Sequence, residues 1–296
     1  MYMGLSSPSM AAGWDANSTT MEIRFGHSPK EVGKMSTEEL RQAFLVQDTV
    51  VDGEINFIYS HYDRTLIGGA KPMDTPLELP CPEELKAAYF LERREIGILN
   101  VGGTGKVQAG GQEYTLEKLS CLYLGKGTQG VKFQSISSAQ PAIFFLISCP
   151  AHQAYPATLY SKEDALPVVL GDTSTSNKRT LYKYIHLEGI RSCQLVMGLT
   201  ALEPGNVWNS IPPHTHTRRM EAYFYFDLPE QQRVFHYMGE PQETRHLIVK
   251  NYETAISPPW SVHFGCGTSN YAFIWAMAGE NQVFSDMDAV AVTDLE

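Results

Sequence analysis

His214 and His216 in the segment Pro212-Pro213-His214-Thr215-His216 are separated by one residue. In an extended chain that spacing sets both imidazoles on one face, side by side. Imidazole nitrogen is a ligand for zinc, iron, manganese or nickel, and the pair supplies half of a metal site. Glu221 follows His216 by an odd offset, which an unbroken strand would send to the opposite face. A turn or bulge, with Arg218-Arg219 as its occupants, therefore intervenes. Glu221 then opens a second strand that carries Tyr223 and Tyr225 on its own face and Ala222, Phe224 and Phe226 on the other. His263 comes after Pro258-Pro259-Trp260-Ser261-Val262, where the prolines end one element before a short apolar run begins the next. Strand geometry lets these four side chains converge.

The elements that must position them are strands. Short apolar or β-branched runs recur from residue 46 onward: Ile55 to Tyr59, Ile96 to Val101, Cys121 to Leu124 and Ala142 to Ser148. Glycine pairs at 68-69, 102-103 and 110-111 are expected to turn hairpins between some of them. Ser36-Thr37-Glu38-Glu39 has the form of a capping box ahead of Leu40 to Leu45, giving a short helix in an N-terminal arm over residues 21–46. Arg93-Arg94-Glu95 echoes Arg218-Arg219-Met220-Glu221, and Leu124-Gly125-Lys126-Gly127 stands where Pro258-Pro259-Trp260 stands later. The first copy lacks the histidines, and has Gly130 in the place of His263. The expected organisation is all-β, two barrels with a few short helices: a metal-free barrel over 47–150, a polar linker over 151–179 with a helix near Ser161 to Ala165, and a metal-binding barrel with its tail over 180–296. Residues 1–20 read as a disordered leader or tag.

Composition excludes several classes. A formal net charge of -10, from 33 acidic and 23 basic residues, gives no basic face for nucleic acid. It also means that an anionic substrate needs arginine or lysine placed locally. Five scattered cysteines without Cys-x-x-Cys spacing fit free thiols in a reducing cytoplasm. Cys266, near His263, reads as a structural thiol. No apolar run approaches the roughly 20 residues of a membrane helix. The Gly102-Gly103-Thr104-Gly105-Lys106 stretch fails as a phosphate loop, having Asn100 and Val107 where glycine and a hydroxyl are required.

The spacing His-x-His, four residues, Glu, then a distant His resembles the two motifs of the cupin superfamily. Tyr89 to Gly97, Cys193 to Thr200, the metal segment, Gly239 to His246, and the tail Phe273 to Trp275 with Gly279 to Phe284 are similar to the 5-keto-4-deoxyuronate isomerase family, from about Met21 to the C-terminus. Trp260 and Gly267 depart from the wider cupin pattern of glycine before and asparagine after the last histidine. The resemblance implies two cupin barrels, a zinc-dependent aldose–ketose isomerase acting on a uronate in pectin degradation, a homo-hexamer, and one zinc ion on His214, His216, Glu221 and His263.

Such a reaction needs a group that moves a proton, and the sequence offers Glu243, Tyr223 and His246. Glu243 and Arg245 fall on one face of a strand and His246 on the other. Arg219, Arg218 and Arg179 are the forks available for a substrate carboxylate. An iron-dependent dioxygenase and a non-catalytic sugar-binding cupin are the alternatives the same ligand set allows.

Overall fold

Two seven-stranded and two four-stranded sheets take up the apolar runs of the chain. The computed structural model describes residues 21–296; the leader expected over residues 1–20 lies outside them. In the C-terminal half the large sheet has the order Val168–Leu170, Arg179–Ile185, Val196–Leu202, Ala272–Gly279, Arg219–Phe226, Thr254–Ser257, Leu45–Val46. It faces a small sheet of Trp208–Asn209, Phe264–Gly267, Val234–Glu240 and Glu243–Val249. The N-terminal half repeats this arrangement strand for strand, from Glu22–Arg24 at one edge to Thr158–Tyr160 at the other.

Burial explains why the central strands read as unbroken apolar runs. Every residue of Arg219–Phe226 and of Ala272–Gly279 is buried, because each strand packs on both faces. One face of Arg219–Phe226 turns Tyr223 and Tyr225 inward to meet Val234, Phe273 and Trp275. The other turns Ala222, Phe224 and Phe226 to a shared seam, where the two large sheets meet and Phe145 stacks on Phe224 with ring centroids 5.0 Å apart. A third core, with Ile96, Ile98, Phe133 and Phe144, fills the N-terminal pair of sheets.

The halves are tied by more than this seam. Leu45–Val46, from the N-terminal arm, completes the large sheet of the C-terminal half by pairing with Thr254 and Ala255. The helix Thr37–Phe44 ahead of it carries the full capping box between Ser36 and Glu39 and buries Leu40 and Phe44 in the C-terminal core. Glu95 provides a polar tie: its buried carboxylate accepts from the Tyr123 hydroxyl at 2.6 Å and from the main-chain N–H groups of Cys193, Gln194 and Leu195 at 2.7, 2.8 and 3.0 Å. Glu95 thus faces the seam while Glu221 faces its own interior. The two arginine–glutamate segments open equivalent strands, Arg94–Asn100 and Arg219–Phe226, but the glutamate is the second residue of one and the third of the other and so faces the opposite way.

Several local expectations need correction. Gly110-Gly111 does turn a hairpin, with φ of 58° and 79° that favour glycine. Gly68-Gly69 instead lies inside the strand Thr65–Ala70, where a Cβ on Gly68 would overlap the main-chain oxygen of Asn56. Gly102-Gly103 connects a strand of the large sheet to one of the small sheet rather than turning a hairpin. Ser161 to Ala165 is a turn capped by Asp164, which accepts from the Ser161 N–H at 2.8 Å, and not a helix. The stretch 151–179 carries Thr158–Tyr160 and Val168–Leu170, one strand for each large sheet.

Candidate metal centre

The turn after His216 spans Thr217 and Arg218 and is closed by the Arg219 N–H on the His216 carbonyl at 3.2 Å. Arg219 is therefore the first residue of the strand rather than part of the turn, and its two-residue offset puts Glu221 back on the interior face. Thr254–Ser257 pairs beside it, and the Pro258–Pro259 turn returns the chain so that His263 enters the same interior.

The four side chains meet. His216 Nε2 lies 3.0 Å and His263 Nε2 2.8 Å from Glu221 Oε2, while His214 Nε2 lies 3.2 Å from His216 Nε2 and 3.0 Å from His263 Nε2. One atom from each of the four falls within 4.8 Å of the others. Glu221 is 4% exposed and His216 and His263 are buried as deeply. Burial alone would raise the Glu221 carboxyl, but the neighbouring imidazoles of His263 and His216 hold it well below the usual carboxylate range. Burial, with His263 beside it, pushes His214 down to about 3, so this imidazole is neutral at pH 7.

The arrangement fits a metal ion by its donor set. His216 Nδ1 faces the Asp286 carbonyl at 2.8 Å and His263 Nδ1 faces the Ser261 carbonyl at 3.2 Å. A carbonyl only accepts, so each imidazole donates there and leaves Nε2 as a lone pair. Lone pairs and a carboxylate aimed at a common centre repel one another unless a cation stands between them.

These groups open on a cavity of about 350 Å³, within the roughly 300 to 1,000 Å³ of small-molecule sites. His214, His216, Glu221, Tyr223, Ser210 and Arg179 form its polar part, and Leu181, Phe273, Trp275, Met277, Phe284 and Met287 its apolar walls. The Tyr223 hydroxyl shares a hydrogen bond of 2.9 Å with Ser210 Oγ. Burial and the Glu221 carboxylate push its phenol well above the usual tyrosine range, so it keeps its proton.

Of the other residues named from sequence, Arg179 alone among the arginines lines the cavity. Arg218 is paired with Asp286 at 2.8 and 2.9 Å, and Arg219, 1% exposed, donates to main-chain oxygens of the C-terminal tail. Neither lines the cavity. Glu243 and His246 lie exposed on Glu243–Val249, a strand at the edge of the small sheet, outside the cavity. Between them Arg245 clamps the Val32 and Met35 carbonyls at 3.0 and 2.6 Å. Of this cluster, Arg245 serves the helical arm. Sequence reasoning missed Ser210 and Asp286. The pair Asp286-Met287-Asp288, opposite in charge to Arg218-Arg219, was the available signal for the latter.

Sheet architecture and site together define a cupin-type fold with a cluster of three histidines and one glutamate suited to holding a metal ion. Residues 44–293 match the model of the KduI/IolB family, and the chain belongs to that family. It is 54% identical over 275 residues to the 4-deoxy-L-threo-5-hexosulose-uronate ketol-isomerase of Halalkalibacterium halodurans, covering 93% of this chain and 100% of that one. Identity to the protein of the same name from Caldicellulosiruptor bescii is 50% over 276 residues, with the same coverage. Among solved structures, an IolB-like protein from Salmonella typhimurium superposes with a TM-score of 0.66 at 16% identity, over 81% of this chain and 94% of that one. An oxalate decarboxylase from Lactobacillus farciminis gives 0.58 at 9% identity, over 84% and 88%. At those identities the solved structures speak for the fold alone.

Proposed function

We propose that this chain is a ketol-isomerase that converts 4-deoxy-L-threo-5-hexosulose uronate to 3-deoxy-D-glycero-2,5-hexodiulosonate in the breakdown of pectin-derived uronates. The observation that carries the reading is the convergence of His214, His216, Glu221 and His263 at one end of the cavity. The names of the relatives at about half identity support the choice of substrate.

Moving a carbonyl to the neighbouring carbon requires a carbon-bound proton to leave and to return one carbon along, with negative charge on the oxygens in between. A divalent ion held by the four ligands, zinc in this reading, supplies Lewis-acid charge worth several kcal/mol to those oxygens. Tyr223, with Ser210 behind it, offers a protonated hydroxyl that donates to a substrate oxygen as charge develops. Arg179 stands in the wall as the fork for the carboxylate, answering the repulsion expected from the chain's negative charge. The apolar walls exclude water, which strengthens each of these interactions.

The same reading takes the two matched pairs of sheets as two cupin barrels, over 47–150 and 180–296, with the chemistry in the second. It takes the working form as a homo-hexamer in the cytoplasm that binds no nucleic acid. Among the described residues no helix is long and apolar enough to cross a membrane. Metal analysis of the purified protein, followed by an isomerisation assay, tests the proposal. Turnover should disappear on chelation and return with zinc. A zinc-loaded chain that leaves the uronate unchanged, or that consumes oxygen only with ferrous iron, overturns it.

A further inference from the structure

Beyond Gly279 the chain turns back across the cavity and adds Phe284, Met287 and Ala289 to its wall. Two of the three histidines depend on this strap. His214 sits in the two-residue strand His214–Thr215, whose partner is Asp288–Ala289. His216 directs Nδ1 at the main-chain oxygen of Asp286, 2.8 Å away. His263 is different: Ser257 Oγ at 3.1 Å, at the end of the preceding strand, and the Ser261 carbonyl at 3.2 Å in its own loop orient it.

The strap is itself gripped from beneath and from outside. Arg219 donates Nη1 to the Val283 oxygen at 2.9 Å, and Nη2 to the Phe284 and Asp286 oxygens at 3.3 and 3.2 Å. A guanidinium keeps its charge and its planar fork in any surroundings, so burying one is costly unless its donors are filled. The strap carbonyls fill donors on both Nη atoms, and Nε alone is left without a partner. On the outer side Arg218 grips the Asp286 carboxylate, and Asn281 donates to the same carboxylate. The Asp286 main-chain oxygen therefore accepts from a fixed guanidinium and from the imidazole of a metal-centre residue at once.

We infer that residues 281–289 are a working part of the metal centre and that Arg219 is a positioning residue. Through the Asp286 carbonyl it fixes His216 with the proton on Nδ1 and the lone pair on Nε2. The inference rests on the metal reading proposed above, and on the metal alone rather than on the reaction.

Arg219→Gln and a chain ended after Ser285 remove the grip and the Asp286 carbonyl respectively, while both keep Phe284 against Trp275. Zinc affinity, measured by competition with a chelator, should fall about 10- to 100-fold in each, as for other groups that orient a ligand histidine. The visible spectrum of the cobalt-substituted protein should change with it. A purely structural role would lower the melting temperature and leave affinity and spectrum alone, and folded variants that bind zinc within about twofold of wild type overturn the inference. Should neither variant fold, the wild type decides: 15N-histidine NMR of the zinc-loaded chain should find the His216 proton on Nδ1, and a proton on Nε2 overturns it. A wild-type chain that binds zinc, shows the loss on mutation and isomerises nothing would refute the proposed reaction and leave the strap standing.

Discussion

His263 Nε2 stands 3.0 Å from His214 Nε2 across forty-nine residues of chain, and 2.8 Å from the Glu221 carboxylate. His263→Ala should abolish tight metal binding and reduce kcat/KM by about 100-fold or more, the equivalent of about 3 kcal/mol of lost charge stabilisation. Metal content and turnover of the folded variant check this. Full activity without the metal would show that the centre only braces the sheets.

Tyr223→Phe removes one oxygen from the cavity wall and leaves the ring packing against Phe273 in place. We expect kcat to fall about 100-fold with KM little changed, as for loss of a donor that matters only as charge develops. Steady-state kinetics separate the two. Ser210 loses its partner, which costs about 1 kcal/mol of stability in a denaturant titration.

Arg179→Leu should act on the other parameter. Losing a charged hydrogen bond to a carboxylate is worth about 1.5 to 3 kcal/mol, so KM for the uronate should rise about 10- to 100-fold while kcat holds. A neutral amide analogue of the substrate should show no such loss.

Glu243→Gln and His246→Ala sit on the exposed edge strand and should leave kcat/KM unchanged and stability within about 0.5 kcal/mol. A large loss of turnover in either would return these residues to the chemistry and would require that strand to move toward the cavity.

Glu95→Ala strips five donors, the Cys149 thiol among them, of their shared acceptor at the seam. The cost should be about 3 kcal/mol or more, read as an earlier urea midpoint, because the Leu195 N–H and the Tyr123 hydroxyl are left unpaired in buried surroundings. Zinc affinity, set in the other core, should change far less.

The sequence by itself marked the four side chains that meet in the C-terminal half and the class of fold. His-x-His has the strand period, and the doubly buried strands betray themselves as continuous apolar runs, so residue type and spacing carried both. The capping box at Ser36 was equally legible, being a contact of four neighbouring residues. What faces the cavity was not. Arg218 and Arg219 read alike in the chain, yet one lies outside the strap and one beneath it, and Arg179, far upstream, is the arginine that lines the cavity. The role of the tail likewise depends on Asp286 offering its main-chain oxygen, a group every residue possesses and no motif encodes. Local periodicity is written in neighbouring side chains. Which surfaces meet is decided only when distant strands pack, because the burial and hydrogen-bond demand of each group are then set by partners scores of residues away.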